Sequence, residues 1–207
     1  MGRVWTSDLH WGHANIIRFT DRPFLTGGDP DLHRMHVAIC RALNDAAGPD
    51  DDLWLLGDIA MGNVDSTLRI RDRLRAGRVF LVPGNHDKCH PMHKKAEAWR
   101  TRYEDAGFIV TDPVVDVTLS DGTSVQVSHF PFMVEPKRMD RPDRFAAWRP
   151  VDDGRWLLHG HTHGAWRQRG QQIDVGIDAW GGSPVPEETL LEHVRLVTDL
   201  GALPWAP

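Results

Sequence analysis

Aspartate and histidine recur along the chain in five short groups: Asp8-Leu9-His10, Gly57-Asp58, Gly84-Asn85-His86-Asp87, His129 and Gly160-His161-Thr162-His163. Imidazole nitrogen and carboxylate oxygen suit Zn, Fe, Mn or Co, and the lack of thiolate in these groups argues against a closed structural zinc site. Asp58 could bridge two cations with its two oxygens. Residues two apart in an extended segment face the same way. Asp8 with His10, and His161 with His163, are therefore expected to aim two pairs of ligands into one pocket. Gly57, Gly84 and Gly160 let the backbone turn sharply and approach such a site closely. Taken singly, an Asp-x-His is a common cap and a Gly-Asp a common turn. It is their order, each after an apolar run, that points to metal chemistry.

Those apolar runs are the elements that must position the ligands. Residues 3–7, 53–56 and 79–82 read as buried strands. Residues 115–119 and 125–128 alternate about a Ser120-Asp121-Gly122 turn and read as a hairpin. Residues 156–158 and 173–177 read as later strands. Asp29-Pro30-Asp31 starts a helix carrying Met35, Ile39, Ala42 and Ala46, and a weaker helix covers 65–75. Ala96, Trp99, Tyr103 and Ala106 mark another helix, and Leu190, Val194 and Val197 a last one. Residues 133–150 have no clear period and read as a loop. The alternation implies an α/β fold, in which ligands gather outside the carboxyl ends of strands.

Composition narrows the setting. A length of 207 residues fits a single domain over 1–207, and an apolar fraction of 41% is enough for a real core. The formal charge of −5 argues against a protein held to nucleic acid by broad phosphate neutralisation. The only cysteines, Cys40 and Cys89, fit a reducing, cytoplasmic location better than a disulfide framework. No run approaches the roughly 20 apolar residues of a membrane span, so no membrane partner is expected. The tryptophans are expected in the core and pocket lining rather than as a nucleic-acid stacking surface.

The ordered series of five groups, from residue 8 to residue 163, resembles the calcineurin-like metallophosphoesterase superfamily. Ser7-Asp8-Leu9-His10-Trp11-Gly12-His13-Ala14-Asn15-Ile16-Ile17, Arg22-Pro23-Phe24 and Asp174-Val175-Gly176-Ile177-Asp178-Ala179-Trp180 are similar to its small bacterial and phage members. The resemblance implies a four-layer α-β-β-α sandwich of two mixed sheets flanked by helices. It implies that Asp8, His10 and His163 hold one metal, that Asn85, His129 and His161 hold another, and that Asp58 bridges. His86 would stand beside the substrate phosphate, oriented by Asp87. His13, Asn15 and Arg22 are candidate substrate residues, and His159 is expected to be a buried, hydrogen-bonded histidine. The implied cofactor is a pair of divalent cations, Mn2+ foremost, with Fe, Zn, Co or Ni as the others. Such a pair would activate a hydroxide for attack on phosphorus.

Gly57-Asp58-Ile59-Ala60-Met61-Gly62 lacks the Asp-Arg-Gly continuation of serine/threonine protein phosphatases. The sole tyrosine, Tyr103, lies outside every group, which weighs against a purple acid phosphatase. The expected activity is phosphodiester hydrolysis, cyclic nucleotides included, ahead of phosphomonoester hydrolysis. The expected partner is a small phosphorylated molecule such as a nucleotide. The alternatives are a non-catalytic metal-binding scaffold of the same fold, or a nuclease. His33, His36, His90, His93 and His193 have no motif context and receive no role.

Overall fold

Apolar residues alternate along the central strands, and the alternation builds two separate apolar clusters. The computed structural model describes residues 2–133 and 142–200, with side chains to Val197. In chain order the first half carries β1 (Arg3–Thr6), α1 (Ile16–Phe19), β2 (Leu25–Thr26), β3 (Asp29–Pro30), α2 (Leu32–Ala46) and β4 (Asp52–Leu55). It continues with α3 (Val64–Leu68), β5 (Arg78–Leu81) and α4 (Ala96–Asp105). The second half carries β6 (Ile109–Val110), β7 (Val114–Thr118), β8 (Ser124–Ser128) and β9 (Trp156–His159), then β10 (Gln168–Arg169), β11 (Gln172–Asp174), β12 (Val185–Pro186) and α5 (Glu187–Leu200).

One five-stranded sheet has the order β12-β1-β4-β5-β6, parallel except for β12. The other has the order β10-β11-β9-β8-β7, parallel at its centre and antiparallel at both edges. In the first sheet Trp5, Trp54 and Phe80 stand in register, their rings stacked at 5.0 and 4.4 Å. They share a cluster with Val125, Val127, Trp156, Leu158 and Ile173 of the second sheet, and with Leu190 and Val194 of α5. The opposite face of the first sheet, through Val4, Leu53, Leu55, Val79 and Leu81, packs on α2 and on Tyr103 of α4.

Helix α2 begins where the sequence places it. The Asp31 carboxylate accepts from the Arg34 N–H at 2.9 Å, and Met35, Ile39 and Leu43 form one buried stripe at four-residue spacing. The helix expected over 65–75 is shorter. It stops after Leu68 and gives way to a 3-10 turn over Arg71–Arg73. The Thr67 hydroxyl donates to the carbonyls of Asn63 and Val64, back-bonding of the kind that bends and weakens a helix. The loop over 133–150 holds one 3-10 turn, Ala146–Trp148, in its described part, while 134–141 lie outside the described residues.

The result is a mixed α/β fold with two mixed five-stranded sheets and a small antiparallel β2-β3 ribbon. On the outward face of the second sheet Gln126 donates its side-chain N–H to the Val151 carbonyl at 3.0 Å, so residues preceding β9 cover that position. Among the described residues, no helix is long and apolar enough to cross a membrane.

Candidate metal centre

Strand ends deliver the groups. β1 leads into Asp8, β4 into Asp58, β5 into Asn85, β8 into His129 and β9 into His161 and His163. The loops are then laced together. The Asp8 N–H donates to the Gly57 carbonyl at 3.0 Å, the His10 N–H to the Asp58 carbonyl at 2.9 Å, and the Gly160 N–H to the His129 carbonyl at 3.1 Å.

Convergence does not come from strand alternation. Asp8, His10, Asp58, His161 and His163 have φ of 58°, 49°, 53°, 71° and 49°, in the left-handed region that non-glycine residues seldom enter. The expectation that Asp8/His10 and His161/His163 point together from extended segments is therefore corrected. Each pair is brought inward by tight left-handed turns, a local strain of the kind that gathers at functional sites. Close approach also fixes the glycines. A Cβ on Gly57 would lie 2.6 Å from the Gly84 backbone and from His129 Nδ1, and one on Gly160 would lie 2.5 Å from Asp8 Oδ2.

The two aspartates divide their oxygens in the same way. Asp8 Oδ2 accepts from the Ser7 hydroxyl and from the His161 N–H at 2.9 Å. Its Oδ1 is buried without a hydrogen-bond partner, 3.8 Å from His10 Nε2 and 3.8 Å from His163 Nε2. Asp58 Oδ1 accepts from the His86 N–H at 2.8 Å, leaving Oδ2 at 3.8 Å from His10 Nε2 and 3.5 Å from His129 Nε2. One oxygen of Asp58, rather than both, thus faces the two sides. His129 Nε2 lies 3.2 Å from Asn85 Oδ1 and 3.2 Å from His161 Nδ1. The ligand atoms of Asp8, His10 and His163 lie within 4.8 Å of one another, as do those of Asp58, His129 and His161. Separations of 3.8 Å are too long for hydrogen bonds and suit donors that share a cation. Buried Asp8 Oδ1 and His10 Nε2, both without partners, are costly unless such a group satisfies them.

Protonation differs between the halves. Burial opposes the charge on Asp8, yet His163, His10 and His129 hold its carboxyl well below the usual range. Burial likewise opposes the charge on His163, but Asp8 and then Asp178 raise it to about 9. Burial lowers His129 and, with His129 beside it, His161, so both are neutral imidazoles, the form in which histidine ligates a cation. Burial pushes the carboxyls of Asp58 and Asp87 up, Asp58 further by the charge of Asp8, and Asp87 by that of Asp58.

Other expected residues fall less simply. His86 is half-exposed, its Nε2 3.9 Å from Asp58 Oδ2, at the open side of the centre. Asp87 does not orient it. The Asp87 carboxylate is fully buried and accepts the N–H groups of Asp58 at 2.7 Å, Ile59 at 3.2 Å and Gly84 at 2.8 Å. The turns at Asp58 and Gly84 leave those donors without strand partners, and Asp87 satisfies them. Arg22 does not reach toward substrate either. It is buried, and its guanidinium donates to Asp178 and to the carbonyls of Asp8 and Leu9. The His13 ring lies 5.7 Å from that of His10, and Asn15 is exposed at the start of α1 with no side-chain cap bond. His159 is buried with Nδ1 2.7 Å from the Gly160 carbonyl, and burial pushes it down to about 3.

Two supports were not assigned from sequence. Asp178 Oδ2 sits 3.2 Å from His163 Nδ1, and His93 Nε2 sits 3.1 Å from the Asn85 carbonyl. The signal for Asp178 was its place as a carboxylate just beyond a buried apolar run, Val175-Gly176-Ile177, as with the ligands themselves. His93 offered no such signal.

Over 205 residues the chain is 37% identical to the Gene 66 protein of Mycobacterium phage D29, spanning 94% of this chain and 97% of that one. It is 34% identical over 209 residues to the Gene 66 protein of Mycobacterium phage L5, again across 94% and 97%. A protein of unknown function from Aquifex aeolicus has a similar solved structure, with a TM-score of 0.65 and 25% identity over 93% of this chain and 98% of that one. No family model matches the chain.

Proposed function

The chain belongs to the family of the Gene 66 proteins of mycobacteriophages D29 and L5, and from that premise we propose that it is a dinuclear metal-dependent phosphoesterase, acting on phosphodiesters ahead of phosphomonoesters. One observation carries the reading: two ligand groups of nitrogen and oxygen donors meet at a single oxygen of Asp58. In this reading Asp8, His10 and His163 hold one divalent cation, Asn85, His129 and His161 hold the other, and Asp58 serves both. Mn2+ is the first choice, with Fe, Zn, Co or Ni as the others, since imidazole and carboxylate donors without thiolate accept any of these ions. Cations held there would acidify bound water and neutralise phosphoryl oxygens.

The chain's own residues supply the rest. His86, at the open side, meets the substrate phosphate. Burial and the neighbouring His10 and His129 lower it to about 4, so its imidazole is neutral at pH 7. It therefore donates a neutral N–H bond, and takes up a proton for the leaving oxygen only once the negative charge of the substrate stands beside it. Asp87 holds the Asp58 and Gly84 turns in place, and His13 with Asn15 shapes the entrance. The accompanying fold is the four-layer α-β-β-α sandwich of calcineurin-like metallophosphoesterases, one domain over 1–207. The two sheets joined in one apolar cluster support it. A cytoplasmic setting fits the free cysteines Cys40 and Cys89. The substrate class is a small phosphodiester such as a cyclic nucleotide, consistent with a net charge of −5 that does not favour nucleic acid.

The test compares bis-p-nitrophenyl phosphate with p-nitrophenyl phosphate under added Mn2+. Faster turnover of the diester is expected. Turnover of neither, by a chain that has bound Mn2+, would support the scaffold alternative instead.

A further inference from the structure

Resting on the dinuclear reading, we infer that Asp178 and Arg22 are positioning residues for one half of the centre, holding His163 so that its Nε2 faces Asp8. The Asp178 carboxylate lies 3.2 Å from His163 Nδ1, the ring nitrogen turned away from the other ligands. Asp178 is itself clamped in a bidentate pair, with Arg22 Nε at 2.7 Å from Oδ1 and Nη2 at 3.0 Å from Oδ2. The same guanidinium donates to the carbonyl of Asp8 at 2.7 Å and of Leu9 at 3.0 Å, and its last N–H meets the Met35 sulfur at 3.5 Å. All five donors of the fork are engaged.

One buried side chain therefore joins the turn that carries Asp8 to the carboxylate that orients His163. It sets the 3.8 Å separation of Asp8 Oδ1 and His163 Nε2 from behind. An acceptor on the far nitrogen fixes the ring orientation of a ligating histidine and raises its basicity. The other half has a different support: His129 Nδ1 lies 2.8 Å from the Leu56 carbonyl, with no part for Arg22 or Asp178. The influence of the pair is accordingly one-sided.

The test measures Mn2+ affinity by calorimetry in two backgrounds. His161→Ala retains the Asp8/His10/His163 half, and His10→Ala retains the Asn85/His129/His161 half. Adding Asp178→Asn is expected to weaken Mn2+ about 10–100-fold in the first background, and to change nothing in the second. Equal weakening in both would make the pair a general prop of the fold and overturn the inference, as would no change in either. Arg22→Lys keeps the charge but loses the planar fork. It should give the same one-sided weakening at smaller size, and it decides the matter if Asp178→Asn does not fold. Failure of the unaltered chain to bind two Mn2+ would instead strike the dinuclear reading itself, and the inference with it.

Discussion

Asp58 Oδ2 lies 3.5 Å from His129 Nε2, and the same oxygen lies 3.8 Å from His10 on the other side. A single carboxylate oxygen thus stands between two ligand groups, each gathered from distant parts of the chain. Asp58→Asn is the sharpest probe of this arrangement. Asparagine tolerates the left-handed φ of 53° at this position, so the fold should survive. The metal content of the purified variant should fall from two ions per chain to one or none, measured by plasma mass spectrometry. Retention of both ions would show that Asp58 is not shared.

His86 stands at the rim without belonging to either ligand group. His86→Ala should lower turnover by about 10²- to 10⁴-fold, the usual worth of a general acid. Metal content should stay at the wild-type level, so assay and metal analysis must be run on the same preparation. Loss of metal in parallel with activity would make His86 a ligand rather than a partner of the substrate.

Much of the centre was legible because each ligand follows a short apolar or alternating run bounded by turn residues, and such runs read as strands. Asp8, Asp58, His129 and the His161/His163 pair all meet this condition. How they converge was not legible, because left-handed turns at five non-glycine positions run against the backbone preference from which a sequence is read. Asp87 shows the same limit. Adjacency to His86 suggested a partner for the imidazole, whereas the carboxylate answers three backbone N–H groups that the turns leave open. Arg22 looked like a phosphate ligand because its engagement depends on Asp178, 156 positions away. The smallest elements, such as the two-residue β2, β3, β10 and β12, are too short to show a period.

Asp174 gives the metal-free protein a pH dependence of predictable sign. Burial, and then the charge of Asp8, push its carboxyl up to about 7, against bonds from the Thr162 hydroxyl and the Gly176 N–H. A group raised in this way binds its proton more tightly folded than unfolded. Its contribution is fully present below about pH 4 and is lost as pH rises through about 7. Asp174→Asn cannot ionise, so its melting temperature in EDTA should fall less than that of wild type between pH 4 and 8. Parallel profiles would show that Asp174 does not carry the dependence.

Anomalous diffraction from crystals grown with Mn2+ tests the central claim most directly. Two peaks about 3.5–4 Å apart, one on each side of Asp58 Oδ2, are the predicted result. A single peak, or peaks away from Asp58, would contradict it.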